Sequence, residues 1–363
     1  MNFDLKHLMA EATRLTRAGD LRAATAAIQA ALRGAEPAQP VTKEPVTEEP
    51  GGVIDVEARQ VPDASPARGV DDAPAAYADA SVPGRFVAGS FADAAGRRDY
   101  KLYIPPEAGQ RPLPLVVMLH GCTQDPDDFA AGTAMNEAAL AQGFFVLYPS
   151  QSRQANPQAC WNWFKHNHQK RGRGEPALLA AMTKAVMAQY AIDPQRVYVA
   201  GLSAGGAMAA ILGEAYPDLY AAVGVHSGLA AGVATDLPAA LMAMKSGGVL
   251  QGGAASGVPT IVFHGDADAT VHASNGEQVI AASVGNTATV EVQHLTANGA
   301  RASTRRLHRS ADGRVVAEHW TVHGAPHAWA GGSAKGSYTD VRGPDASAEM
   351  LRFFFEHPRK TVH

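Results

Sequence analysis

Residues 196–208 read RVYVAGLSAGGAM: an apolar run, a glycine-flanked serine, and an alanine-rich run in immediate succession. The middle of it is Gly201-Leu202-Ser203-Ala204-Gly205. An apolar strand leads in and a small-residue helix leads out, which is the strand–turn–helix of a nucleophile elbow. Glycine is needed on both sides because so sharp a turn brings the strand and helix backbones close together. The turn holds the serine hydroxyl out of the sheet, at a helix N-terminus whose dipole favours negative charge.

Outward from this stretch, strands and helices alternate. Strands are expected over 85–91, 100–105, 113–121, 144–150, 196–201, 221–228, 258–266, 287–295 and 315–324. Helices are expected over 131–142, 175–190, 204–216 and 347–358. LPLVVMLHG at 113–121 and FFVLYPS at 144–150 are apolar almost throughout, as strands covered on both faces must be. The pattern predicts an α/β fold, a mostly parallel sheet with helices on both faces.

A serine needs a base and a group to orient that base. In this architecture an acid and then a histidine follow the serine along the chain. FHGDADATVH at 263–272 fits a loop after a later strand and offers Asp266 and Asp268. Asp266 directly follows the glycine that ends the strand and suits a turn-stabilising role. Asp268, farther into the loop, is preferred as the acid. Eight of the 14 histidines follow Asp268, and two lie between the last strand and the last helix. His323 sits at the strand end. His327, beyond Gly324-Ala325-Pro326, is free to reach the serine and is preferred as the base. Two N–H donors for an oxyanion are expected from the backbone of Ala204 and of Cys122, in His120-Gly121-Cys122. Chemistry of this kind calls for no metal or organic cofactor.

Composition sets the remaining bounds. The 363 residues carry a net charge of -4 with a pI near 6.4, unlike a basic nucleic-acid binder. No apolar run is long enough to cross a membrane as a helix. Residues 1–33 carry +2 and show an apolar stripe at helical spacing (Leu5, Leu8, Met9, Ala12, Leu15, then Leu21, Ala24, Ile28, Leu32). They predict a helical hairpin, serving as a lid or as a surface that meets a partner. Residues 34–80 carry -7 and seven prolines, which predicts a flexible, disordered linker. Residues 81–363 are then the catalytic domain. Glu11, Arg14 and Arg17 interrupt the N-terminal apolar runs. No signal peptide is read there, so a cytoplasmic location is expected.

LHGCTQ (119–124), ACWNWF (159–164), RGEP (173–176), DPQRVYVAGLSAGGAMA (193–209), HGDADATV (264–271) and HAWAGG (327–332) occur in that order. Together they resemble the poly(3-hydroxybutyrate) depolymerase-like esterases, α/β-hydrolases related to feruloyl and acetylxylan esterases. The resemblance spans about residues 83–357 and leaves out the hairpin and the linker. It implies ester hydrolysis, on polyhydroxyalkanoate or its oligomers, with a feruloyl, acetyl or other small ester as the alternative. This chain has Ala325-Pro326 where a glycine-rich approach to the histidine is usual in the family. A polyester granule is one surface that residues 1–33 would suit. A non-catalytic protein working through that hairpin is the competing class.

Three further features sit near the same sheet edge. Trp161 and Trp163, with His120, are expected at a substrate cleft, one of the tryptophans lining it and the other belonging to the core. Cys122 and Cys160 follow two strands that should be neighbours, so a disulfide there is geometrically reasonable. A cytosolic compartment would keep the thiols reduced, and both states stay open. KHNHQKRGR at 165–173 has two alternate histidines, His166 and His168, too few for a metal. It reads as a solvated loop.

Overall fold

A computed structural model of the chain describes residues 84–93, 96–249, 255–285, 289–296 and 299–359. The described residues all belong to one compact unit, within 72–363. The hairpin and linker expected over 1–33 and 34–80 lie outside the described residues.

Among the described residues ten strands form one sheet in the order β1-β2-β4-β3-β5-β6-β7-β10-β9-β8. They are β1 (Arg85–Asp93), β2 (Gly96–Ile104), β3 (Leu113–Leu119), β4 (Phe145–Pro149), β5 (Ile192–Leu202), β6 (Ala222–His226), β7 (Thr260–Gly265), β8 (Thr289–Leu295), β9 (Ser303–Arg309) and β10 (Val315–Val322). The six central strands from β4 to β10 run parallel, and antiparallel pairs close both edges. Because the central strands are parallel, their C-terminal ends share one edge, and there the loops gather.

Among the described residues seven α-helices flank the sheet: α1 (Pro126–Thr133), α2 (Met135–Gln142), α3 (Gly174–Gln189), α4 (Ala204–Ala215), α5 (Leu237–Ser246), α6 (Ser274–Val284) and α7 (Ala346–Glu356). Alternate residues of β3 point to opposite faces. Leu115, Val117 and Leu119 pack in one core with residues of α3, α4, α5 and α6. Val116 and Met118 pack in the other with Phe129, Met135, Phe353 and Phe354 of α1, α2 and α7. Every residue of β3, β4, β6 and β7 is buried, which explains their unbroken apolar runs.

Some expectations shift. The helix expected over 131–142 is two helices, broken where Ala134 takes a left-handed backbone (φ 51°). Asp125 starts the first by accepting from the Asp127 and Asp128 amides, with Pro126 in its first turn. Strand β9, STRRLHR, escaped the hydrophobic pattern because charge pairs as well as apolar contacts hold it to β10. Arg305 donates to both carboxylate oxygens of Glu318, at 3.0 and 2.7 Å, diagonally across the ladder, in which Arg305 faces Trp320 and Glu318 faces Leu307.

A buried carboxylate organises the loop between β4 and α3. Glu175 accepts from Gln151 Nε2 at 2.5 Å, Asn162 N at 2.7 Å and Asn162 Nδ2 at 2.7 Å, with Arg98 at 3.4 Å. Burial pushes this carboxyl up, but hydrogen bonds from His168, Gln151 and Asn162 outweigh it and hold it below the ordinary range. A depressed folded-state pKa contributes stability above the unfolded value, near 4.3, and that stability is lost as pH falls through the folded value. Glu175→Leu is expected to lower unfolding free energy by about 3 kcal/mol at pH 7, since it strands buried donors. The deficit should shrink as the denaturation series is taken to acid pH, and a deficit independent of pH would refute the assignment.

Trp161 and Trp163 both lie in the core, and His120 is buried beside them. Trp161 Nε1 donates to the His120 carbonyl. His120 donates Nδ1–H to the Gly121 carbonyl and accepts at Nε2 from Gln151 N. Trp161, Trp163 and His120, expected at a substrate cleft, are all buried. Their polar atoms are used in bracing the loops after β3 and β4. Cys122 and Cys160 form a disulfide joining the same two loops. Among the described residues no helix is long and apolar enough to cross a membrane.

Candidate active site

Ser203 links β5 to α4 in a left-handed backbone conformation, φ 57° and ψ -118°. The glycines around it have measurable reasons. A Cβ on Gly201 would lie 2.4 Å from the Gly205 carbonyl carbon, and one on Gly205 would lie 2.0 Å from the Leu119 carbonyl oxygen. No side chain fits either position, so the elbow can touch the end of β3 only with glycine there. The Ser203 amide donates to the His226 carbonyl at 2.9 Å, fixing the turn to β6. Among the described residues the Ser203 hydroxyl has no hydrogen-bond partner.

Four candidate acid and base residues sort into two pairs. His327 donates Nδ1–H to Asp268 Oδ2 at 2.7 Å. His323 donates Nδ1–H to Asp266 Oδ2 at 2.8 Å. Burial separates them: the Asp268 and His327 side chains are 0% and 12% exposed, against 41% and 44% for Asp266 and His323. The second ring nitrogen separates them again. His323 Nε2 is occupied by Thr304 Oγ1 at 2.9 Å, whereas His327 Nε2 has no partner among the described residues and is free to accept a proton. Asp266 also accepts from the Gly324 amide at 2.6 Å, so it pins the turn after β10.

Asp268 is well supplied with donors. Its Oδ1 accepts from the Thr270 and Val271 amides, both at 2.8 Å. Burial pushes its carboxyl up, yet the His264 and His327 imidazoles and the Val271 amide hold it well below the usual carboxylate range. It therefore stays ionised wherever the protein is folded at ordinary pH, and a fixed negative charge faces His327 Nδ1–H.

The loop after β3 meets the elbow from the other side. Gly121 N donates to Gln124 Oε1 at 2.9 Å, and Gln124 Nε2 donates to Asp128 Oδ2 at 2.9 Å. The backbone amides of Cys122 and Ala204 have no acceptor among the described residues. Two unpaired N–H groups flanking a serine can hold a developing oxyanion. Thr123, at φ 68°, carries left-handed strain beside them.

One buried residue ties the pieces together without any sequence signal having marked it. His226 ends β6, and its carbonyl receives the Ser203 amide. Its Nε2 accepts from the Ala330 amide at 2.9 Å, on the loop that carries His327. Nδ1–H then donates to Ser227 Oγ at 3.2 Å. Burial, with His264 and His327 nearby, lowers its pKa to about 3, so it stays neutral and keeps Nε2 as an acceptor.

Residues 98–306 match the family model described as Esterase PHB depolymerase, and the chain belongs to that family. The match includes Ser203 and Asp268 and ends before His327. Poly(3-hydroxyalkanoate) depolymerase C of Paucimonas lemoignei is 33% identical over 229 residues, 59% of this chain and 54% of that protein. Feruloyl esterase B of Thermothelomyces thermophilus is 33% identical over 134 residues, 37% of this chain and 45% of that protein. The chain thus spans about half the length of the curated relatives it matches. The acetyl xylan esterase structure from Aspergillus awamori superposes with a TM-score of 0.57 at 18% identity, covering 74% of this chain and 99% of that one. That likeness shows a shared α/β-hydrolase fold.

Proposed function

We propose that the protein is a serine carboxylic-ester hydrolase in which Ser203, His327 and Asp268 act together. The observation that carries this is the buried Asp268–His327 hydrogen bond, with His327 Nε2 lacking a partner among the described residues, together with a strained elbow serine and two amides that have no acceptor among those residues. His327 Nε2 takes the Ser203 proton as Oγ attacks the ester carbonyl, and Asp268 stabilises the resulting imidazolium. The Cys122 and Ala204 amides hold the oxyanion. The protonated His327 then gives its proton to the leaving alcohol. In the second half His327 removes a proton from water, which attacks the acyl-enzyme and releases the acid and Ser203.

For the substrate we propose polyhydroxyalkanoate or its oligomers, in keeping with the named depolymerase relative. A small feruloyl or acetyl ester is the second reading, favoured by the feruloyl esterase match. The Cys122–Cys160 disulfide supports an oxidising compartment, against the cytoplasmic location suggested by the N-terminal reading. Residues 1–33 are proposed as the segment that meets a polyester surface or a protein partner.

One panel tests these statements: p-nitrophenyl butanoate, 3-hydroxybutyrate oligomers, polymer film and a feruloyl ester, with the full chain and with residues 1–80 deleted. Oligomer and film hydrolysis by the full chain, with only film hydrolysis lost on deletion, is the expected result. Faster turnover of the feruloyl ester than of any oligomer overturns the substrate assignment. Failure to cleave any of them overturns the activity.

A further inference from the structure

We propose that His264, the penultimate residue of β7, is a positioning residue that locks the Asp268 loop in the geometry His327 requires. His264 donates Nε2–H to the Val271 carbonyl at 2.9 Å. The same nitrogen lies 3.5 Å from Asp268 Oδ2, the oxygen that receives His327 Nδ1–H at 2.7 Å. Val271 in turn gives its amide to Asp268 Oδ1. One imidazole N–H thus closes a ring with the loop: His264 holds the Val271 carbonyl, and the Val271 amide holds the carboxylate.

The other side of the ring explains why this contact is rigid and why the proton sits on Nε2. His264 is fully buried, and its Nδ1 has no hydrogen-bond partner among the described residues. A Cβ on Gly276 would lie 3.1 Å from that nitrogen and 3.0 Å from His319 Nε2, which is likewise buried and unpartnered. The ring is therefore packed directly against the backbone of α6 and cannot swing away from the loop. A proton on Nδ1 would be a buried donor with no acceptor, at a cost of about 1–3 kcal/mol. The Nε2–H form, by contrast, has both an acceptor and a carboxylate in front of it. His319 beside it is kept neutral by burial, its pKa lowered to about 3.

This inference rests on the reading of Ser203, His327 and Asp268 as the reacting set. Its role is distinct: His264 touches the loop and the acid, not the serine or the substrate. A carboxylate displaced by about 1 Å would misalign His327 for proton transfer, an effect on the order of 100-fold in rate, while leaving ester binding alone.

The test compares His264→Leu, His264→Gln and His264→Asn on p-nitrophenyl butanoate, with kcat expressed per active site titrated by a fluorophosphonate. Glutamine places an amide N–H near the position of Nε2, and asparagine is too short to do so. The expected result is a fall in kcat of about 100-fold for Leu and Asn, KM within about twofold of wild type, and recovery to within about fivefold for Gln. Leu at wild-type kcat overturns the inference, as does Gln no better than Asn. If Leu does not fold, the Gln–Asn comparison decides alone. Wild type and Ser203→Ala run alongside separate the two levels. An inactive wild type, or an active Ser203→Ala, overturns the site reading and this inference with it. An active wild type, a dead Ser203→Ala and a normal His264→Leu overturn only the positioning role.

Discussion

Alanine at position 203 is expected to lower kcat on a soluble p-nitrophenyl ester by about a million-fold, since removing a nucleophile that acts as part of a unit costs as much as removing the whole unit. The fold should not respond. Serine and alanine both carry a Cβ, so the left-handed backbone at φ 57° is equally strained in either. The hydroxyl has no hydrogen bond among the described residues, so none is lost. The turn itself is held by the Ser203 amide to the His226 carbonyl and by the two glycines packed against β3. Melting temperature and the near-ultraviolet spectrum should therefore match wild type. A variant that kept a tenth of wild-type turnover would remove Ser203 from the chemistry, because the oxyanion amides and binding alone supply only a residual rate.

The parallel half of the sheet was legible because burial on both faces leaves a mark that needs no partner to interpret: β3 and β4 are apolar at nearly every position. The elbow was legible because close backbone approach demands glycine at fixed offsets. Strand β9 was not, since what binds Arg305 is Glu318 on a strand that follows it, and neither residue looks like sheet alone. The same holds for His226 and His264. Each satisfies backbone groups, Ala330 N and Val271 O, and a backbone amide or carbonyl has no sequence signature. Trp161 and Trp163 were expected at the serine's sheet edge with one of them facing a cleft, but spacing in a loop does not say which side faces inward. Both turned into the core, with the Trp161 indole N–H satisfied by the His120 carbonyl.

Asparagine substitution at the two aspartates should separate the two Asp–His pairs by several orders of magnitude. In Asp268→Asn the side-chain carbonyl can still accept from the Thr270 and Val271 amides, as Oδ1 does now, so the turn survives. The amide nitrogen then occupies the place of Oδ2, where it meets donors from His327 at 2.7 Å and His264 at 3.5 Å. A donor facing Nδ1–H forces His327 into its other tautomer, with the proton on the nitrogen that must accept from Ser203. The charge that stabilises imidazolium is gone as well. The expected fall in kcat is about 10,000-fold. In Asp266→Asn the carbonyl keeps the Gly324 amide, and His323, nearly half exposed, can change tautomer or turn to water without touching the serine. An exposed pair of this kind contributes at most about 1 kcal/mol, so kcat should stay within about twofold and only a small loss of stability should appear in denaturant titration. Steady-state kinetics of both variants at pH 7 checks the ordering. A large loss at Asp266 with little at Asp268 would transfer the orienting role to the exposed pair. His323 would then have to release Thr304 Oγ1, now 2.9 Å from its Nε2, before it could serve as a base.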